Sequence, residues 1–100
     1  MKKKIILIII IALSLILSSC KKETYEFRGE IIELNNSNAI VLIDEGEEIR
    51  NSGDKVEVDL SVNTDVEFSI GDRIKVEYDG MVQEKYPLGI TTISVELIND

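Results

Sequence analysis

The sequence predicts an all-β domain behind a short apolar leader, on three observations. Within separate runs at residues 25–31, 56–62, 66–70, 74–78 and 93–97 apolar residues recur at every second position, no sustained helical period runs through the chain, and Gly, Asn and Asp cluster between the runs. Alternation at period two sends one side chain to the core and the next to water, the pattern of a half-buried strand.

The leader comes first in the chain. Lys2, Lys3 and Lys4 make a positive n-region ahead of an apolar or small stretch at residues 5–17. About thirteen residues suit a signal h-region and fall short of the roughly twenty needed to cross about 30 Å of hydrocarbon. Lys21 and Lys22 then close it with charge. Leu17-Ser18-Ser19-Cys20 resembles a bacterial lipobox. The resemblance implies cleavage between Ser19 and Cys20 and a diacylglyceryl anchor on the Cys20 thiol. It divides the chain into a signal peptide at 1–19, a lipidated N-terminus and short tether at 20–24, and a domain at 25–100. At about 0.8 kcal/mol per buried methylene, two acyl chains hold a small domain stably where one chain is marginal.

The strands follow in order. Tyr25, Phe27, Gly29 and Ile31 alternate, after which Ile32 and Leu34 switch phase. A glycine next to a phase switch predicts a bulge and a strongly bent first strand. Asn35-Asn36-Ser37-Asn38 tolerates the left-handed conformations of a tight hairpin. Residues 39–43 are apolar throughout and short, which predicts a central strand covered on both faces. Polar connections occupy residues 44–48 and 51–54. Val56, Val58, Leu60 and Val62 alternate with Lys55, Glu57, Asp59 and Ser61, and the same parity returns at Val66, Phe68 and Ile70. Residues 63–69 suit a single helical turn as well, with Asn63 or Thr64 as cap and Asp65 at its positive end. Gly71-Asp72 turns the chain into Ile74, Val76 and Tyr78, and Asp79-Gly80 is a two-residue hairpin signal. Ile93, Val95 and Leu97 make the last strand, with Ile90 as its candidate start. Five or six short strands with a bent first one fit an OB-like Greek-key barrel best, closed or partly open, while a sandwich fragment or a meander fits the periodicity nearly as well. Closure is favoured because an open sheet this short leaves long edges.

Gly71-Asp72-Arg73-Ile74-Lys75-Val76, Tyr78-Asp79-Gly80-Met81-Val82 and Glu84-Lys85-Tyr86-Pro87 resemble the C-terminal half of the small lipoproteins of the DUF3221 or YobA-like family. The segments YEFRGEI and NAIVLI resemble that family's first hairpin, so the resemblance spans residues 25–98. It implies an OB-like barrel and carries no reaction with it. Leu88-Gly89 departs from the Ala and Gln that often follow Tyr-Pro in the family.

Composition narrows the chemistry. Eleven basic residues stand against nineteen acidic ones, and loss of Lys2, Lys3 and Lys4 with the leader takes the net charge from −8 to −11. Nucleic acid is repelled by such a surface, since its affinity is mostly phosphate neutralisation. Anionic lipid is repelled too, except near Lys21 and Lys22, which sit where a basic tether helps the acyl chains. There is no histidine, and acylation consumes the one cysteine. That removes the usual neutral-pH base, the usual metal ligand, thiolate chemistry and disulfides together. The expectation is a non-catalytic protein with no cofactor and no metal site. Asp44, Glu45, Glu47 and Glu48 around Gly46 lack the ligand spacing of an EF-hand and read as a solvated loop.

Tyr78, Tyr86 and Pro87 are the candidate partner residues of the loop before the last strand. Tyr offers rigid contact area with a polar tip, and Pro lowers the entropy of ordering a loop. The bland alternative is that Tyr86 seals a barrel end and Pro87 fixes a turn. Two functional classes remain, both expected on a lipid-anchored, monomeric domain at the extracytoplasmic face of a bacterial cell membrane: a binding module for a protein, peptide or small ligand, and a protective envelope lipoprotein whose acidic surface sequesters cationic molecules.

Overall fold

A computed structural model describes residues 23–98. The Cys20 lipidation site and the Ser19–Cys20 cleavage point lie outside the described residues. The described chain is all-β: β1 (Tyr25–Asn35), β2 (Asn38–Ile43), β3 (Lys55–Asp59), β4 (Arg73–Tyr78), β5 (Leu88–Gly89) and β6 (Thr92–Leu97), with short 3₁₀ turns at Glu48–Asn51 and Leu60–Val62. They form a single mixed sheet in the order β5-β3-β2-β1-β4-β6, antiparallel except for the β3–β5 pair.

The first strand behaves as its sequence predicts. Phe27, Gly29 and Ile31 point inward, and the register with β2 shifts between Ile31 and Glu33, a bulge that returns Leu34 to the core side. Gly29 is required within this bend, because a Cβ there would stand 2.6 Å from the Leu42 carbonyl oxygen and from Val41 Cγ1. Asn36 takes a left-handed φ of 55° in the two-residue connection where Asn35 pairs with Asn38. On β2, Ala39, Val41 and Ile43 are fully buried, while on the opposite face Ile40 is buried and Leu42 half-buried, as befits a strand near the middle of the sheet. Val56 and Val58 of β3, Ile74 and Val76 of β4 and Val95 of β6 complete the core with Phe27 and Leu88.

Four expectations are corrected. The sheet is not closed into a barrel: β5 and β6 are its outer strands, joined through Ile90 and Thr91, and β5 is only two residues long. Across that seam side chains replace a ladder. The Asp59 amide donates to Thr92 Oγ1 at 3.0 Å, and Asn63 Nδ2 donates to the Val95 carbonyl at 2.8 Å. The third strand stops at Asp59, whose carboxylate accepts from Ser61 N and Ser61 Oγ and so starts the second 3₁₀ turn, leaving Val62 exposed. Residues 66–70 form neither a strand nor a helical turn. Finally, Asp79-Gly80 opens a long loop rather than a hairpin, because the antiparallel partner of β4 beyond it is β6.

Candidate functional site

Tyr25 and Phe27 share a face of β1, and Tyr25 lies opposite Tyr78 in the β1–β4 pair. Cross-strand neighbours on one face are within reach of aromatic side chains. The Tyr78 ring therefore meets Phe27 edge-on at 5.7 Å and Tyr25 at 6.1 Å with a 48° tilt, so an aromatic row leads from the core to the surface. Beyond Tyr78, Asp79 Oδ1 accepts from the Met81 amide at 3.0 Å, and Gly80 adopts a φ of 90°. A Cβ at Gly80 would run into the Tyr25 ring, so this glycine is the seat on which the ring lies.

The first 3₁₀ turn completes the site. Ile49 is buried and anchors it, the Arg50 guanidinium donates to the Ile43 carbonyl, and Glu47 Oε2 accepts from the Arg28 amide at 3.0 Å. Tyr25, Tyr78 and Val82 together with Glu48, Ile49 and Asn51 line a cavity of about 350 Å³. Tyr78 is 7% exposed, and its hydroxyl has no hydrogen-bond partner among the described residues. No fully buried side-chain oxygen lacks a partner there, so this hydroxyl opens onto the cavity its ring lines. Burial, with the charges of Glu48, Tyr25, Glu47 and Asp79 adding to it, raises the phenol above its ordinary value of 10.0.

Tyr86 and Pro87 lie elsewhere. Gln83 and Gly89 bridge through paired amide–carbonyl bonds of 2.8 and 3.2 Å, and Tyr86 stands on the loop between them, 66% exposed. Its hydroxyl donates to Asp54 Oδ1 at 3.0 Å, and Lys55 Nζ lies 6.0 Å from its ring centroid. Pro87 follows a cis peptide and is half-buried. Tyr86 therefore seals nothing, and Tyr78 is the last residue of β4, a core residue rather than a loop residue. The two tyrosines do not share a cavity; Asn51 borders that of Tyr78, while Asp54 in the same connection holds Tyr86.

Two members of the acidic run, Asp44 and Glu47, are committed to the fold. Asp44 takes a bidentate pair from Arg73 with both contacts at 2.6 Å, and the Arg73 hydrogen bond holds its carboxyl below the usual value against the opposing effect of burial. Among the described residues no group of three or more carboxylates is placed to hold a metal. Sequence reasoning missed Tyr25 and Glu48 as cavity residues. The signal for Tyr25 was its shared phase with Phe27, whereas Glu48 was hidden in the acidic run.

With this geometry in view, the chain can be set beside solved structures. The fold resembles that of YobA. The crystal structure of a yobA protein from Bacillus subtilis subsp. subtilis strain 168 is 24% identical, with a TM-score of 0.60, covering 78% of this chain and 98% of that one. The solution structure of Bacillus subtilis YobA is likewise 24% identical, with a TM-score of 0.55 and coverage of 78% and 84%. The likeness to YobA is one of fold. No family model and no curated protein matches the chain.

Proposed function

We propose that this chain is a lipid-anchored, extracytoplasmic, non-catalytic binding module that engages its partner at the Tyr25–Tyr78 cavity. The observation that carries the reading is the placement of Tyr78, a core residue whose ring is buried while its hydroxyl, without a hydrogen-bond partner among the described residues, opens onto the cavity. Concave sites with aromatic walls and a few converging polar groups are the usual form of binding sites. Cys20 supplies the anchor in this reading, and Lys21 and Lys22 the basic tether. Tyr86, exposed on a separate loop, is outside this cavity and offers a second, independent contact point.

A photo-crosslinker placed at Met81, which is 75% exposed beside Gly80, tests the proposal in intact membranes. The expected result is a discrete adduct that disappears with Tyr25→Ala while the melting temperature stays within a few degrees. An adduct indifferent to Tyr25→Ala, or none at all, contradicts it. Sequestration of cationic molecules by the acidic surface is the competing reading, and it predicts diffuse adducts that vanish at high ionic strength.

A further inference from the structure

We propose that the Tyr25–Tyr78 cavity takes an alkylammonium cation of the kind carried by a lysine side chain, held by the two tyrosines and the Glu48 carboxylate. This deepens the binding-module reading and rests on it. Tyr25 and Tyr78 bring two neighbouring aromatic rings to the cavity wall, and a ring attracts a cation set against its face. Glu48 supplies a full negative charge, and among the described residues its carboxylate makes no hydrogen bond or ion pair. Glu47 and Asp79 add to the negative potential at the Tyr78 oxygen.

Among the described residues no lysine or arginine lines the cavity. Arg50 donates to the Ile43 carbonyl, Arg73 pairs with Asp44, and Lys75 stands 3.6 Å from both Glu26 and Glu96. A metal ion is disfavoured, because hard divalent cations want several oxygen ligands and the cavity offers one carboxylate. The unbonded Tyr78 hydroxyl adds selectivity. Its oxygen accepts a hydrogen bond from an ammonium N–H, which a quaternary ammonium lacks. A cavity of about 350 Å³ accommodates a four-carbon amine stem with its head.

The chain has no tryptophan and two of its three tyrosines line the cavity, so tyrosine fluorescence follows the site once measured against a Tyr86→Phe background. The detergent-solubilised full chain is titrated with N-acetyl-lysine methylamide at pH 7 and low salt, beside its uncharged norleucine analogue, n-butylammonium and tetramethylammonium, with calorimetry in parallel. Saturable binding is expected for the lysine amide, about tenfold tighter than for the norleucine analogue or for tetramethylammonium. Glu48→Gln and Tyr78→Phe, which keep shape and packing, are each expected to weaken it about three- to tenfold at an unchanged melting temperature. Butylammonium binding as tightly as the lysine amide assigns the site to small amines, and weaker binding assigns it to lysine within a peptide. Equal binding of the norleucine analogue, tighter binding of tetramethylammonium, or indifference to Glu48→Gln overturns the proposal. If ammonium binding fails while the Met81 adduct still depends on Tyr25, the ligand class is wrong and the binding module stands; if both fail, both fall.

Discussion

Gly29 shows how much one residue decides. It lies inside β1, where β2 crosses so close that a methyl group would overlap the Leu42 carbonyl and Val41. Gly29→Ala is expected to cost about 1–3 kcal/mol by overpacking, measured by chemical denaturation. Tyr86 sits at the other extreme. With its ring mostly in water and one hydroxyl bond to Asp54, Tyr86→Ala should change stability by less than about 1 kcal/mol, which makes it a clean probe of partner contact. Asp44 gives a pH signature. Its carboxyl is held below the ordinary aspartate value by Arg73, so its contribution is fully present above about pH 4 and is lost as the pH falls through the lower folded value. The stability gap between the wild type and Asp44→Asn should therefore narrow below pH 4, as read from denaturation curves at several pH values. Tyr78 works in the opposite direction, since a raised phenol loses its contribution only as the pH climbs above 10.

Among the elements, those legible in the sequence were those whose local chemistry and burial agree. The bulge announced itself through Gly29 and the phase switch at Ile32, and the first hairpin through its run of asparagines. Asn36→Val should cost about 1–2 kcal/mol, because a branched residue pays heavily for the left-handed φ, whereas Asn36→Gly should be nearly neutral; thermal melts of the two variants compare them. The segment at Val66, Phe68 and Ile70 had strand parity and formed no strand. Its polar side chains captured the backbone first: Asn63 Oδ1 accepts from the Asp65 amide and Asp72 Oδ2 from the Ser69 amide, an alternative to ladder bonds that parity does not register. Only Phe68 of the three is buried, and Ile70 stays 63% exposed. Asp79-Gly80 misled for a different reason. Its glycine has the positive φ of a turn, but what it serves is the Tyr25 ring, contributed from fifty-odd residues earlier in the chain.

At the scale of the whole molecule, the candidate cavity was the least legible part. It arises where the start of β1, the end of β4 and a 3₁₀ turn converge, and no local pattern encodes that convergence. Tyr78 could be singled out as an aromatic near a loop, yet its pairing with Tyr25 depends on a register set by residues far apart in sequence. Charge was legible at once, and it has a consequence for binding. Association of a polycation with the acidic surface should fade as salt is raised to about 0.5 M, while a ring-lined site should retain much of its affinity, a contrast that titrations at two ionic strengths will show. The location of the domain, its net charge of −11 after processing and the exposure of its cavity to an extracytoplasmic partner all depend on the proposed anchor at Cys20. Intact mass spectrometry of the protein extracted from bacterial membranes tests that anchor most directly. The account predicts a chain beginning at Cys20 with diacylglycerol on its thiol, and an unprocessed, unacylated chain for Cys20→Ala; a wild-type chain that keeps residues 1–19, or a Cys20→Ala chain still cleaved and lipidated, would contradict it.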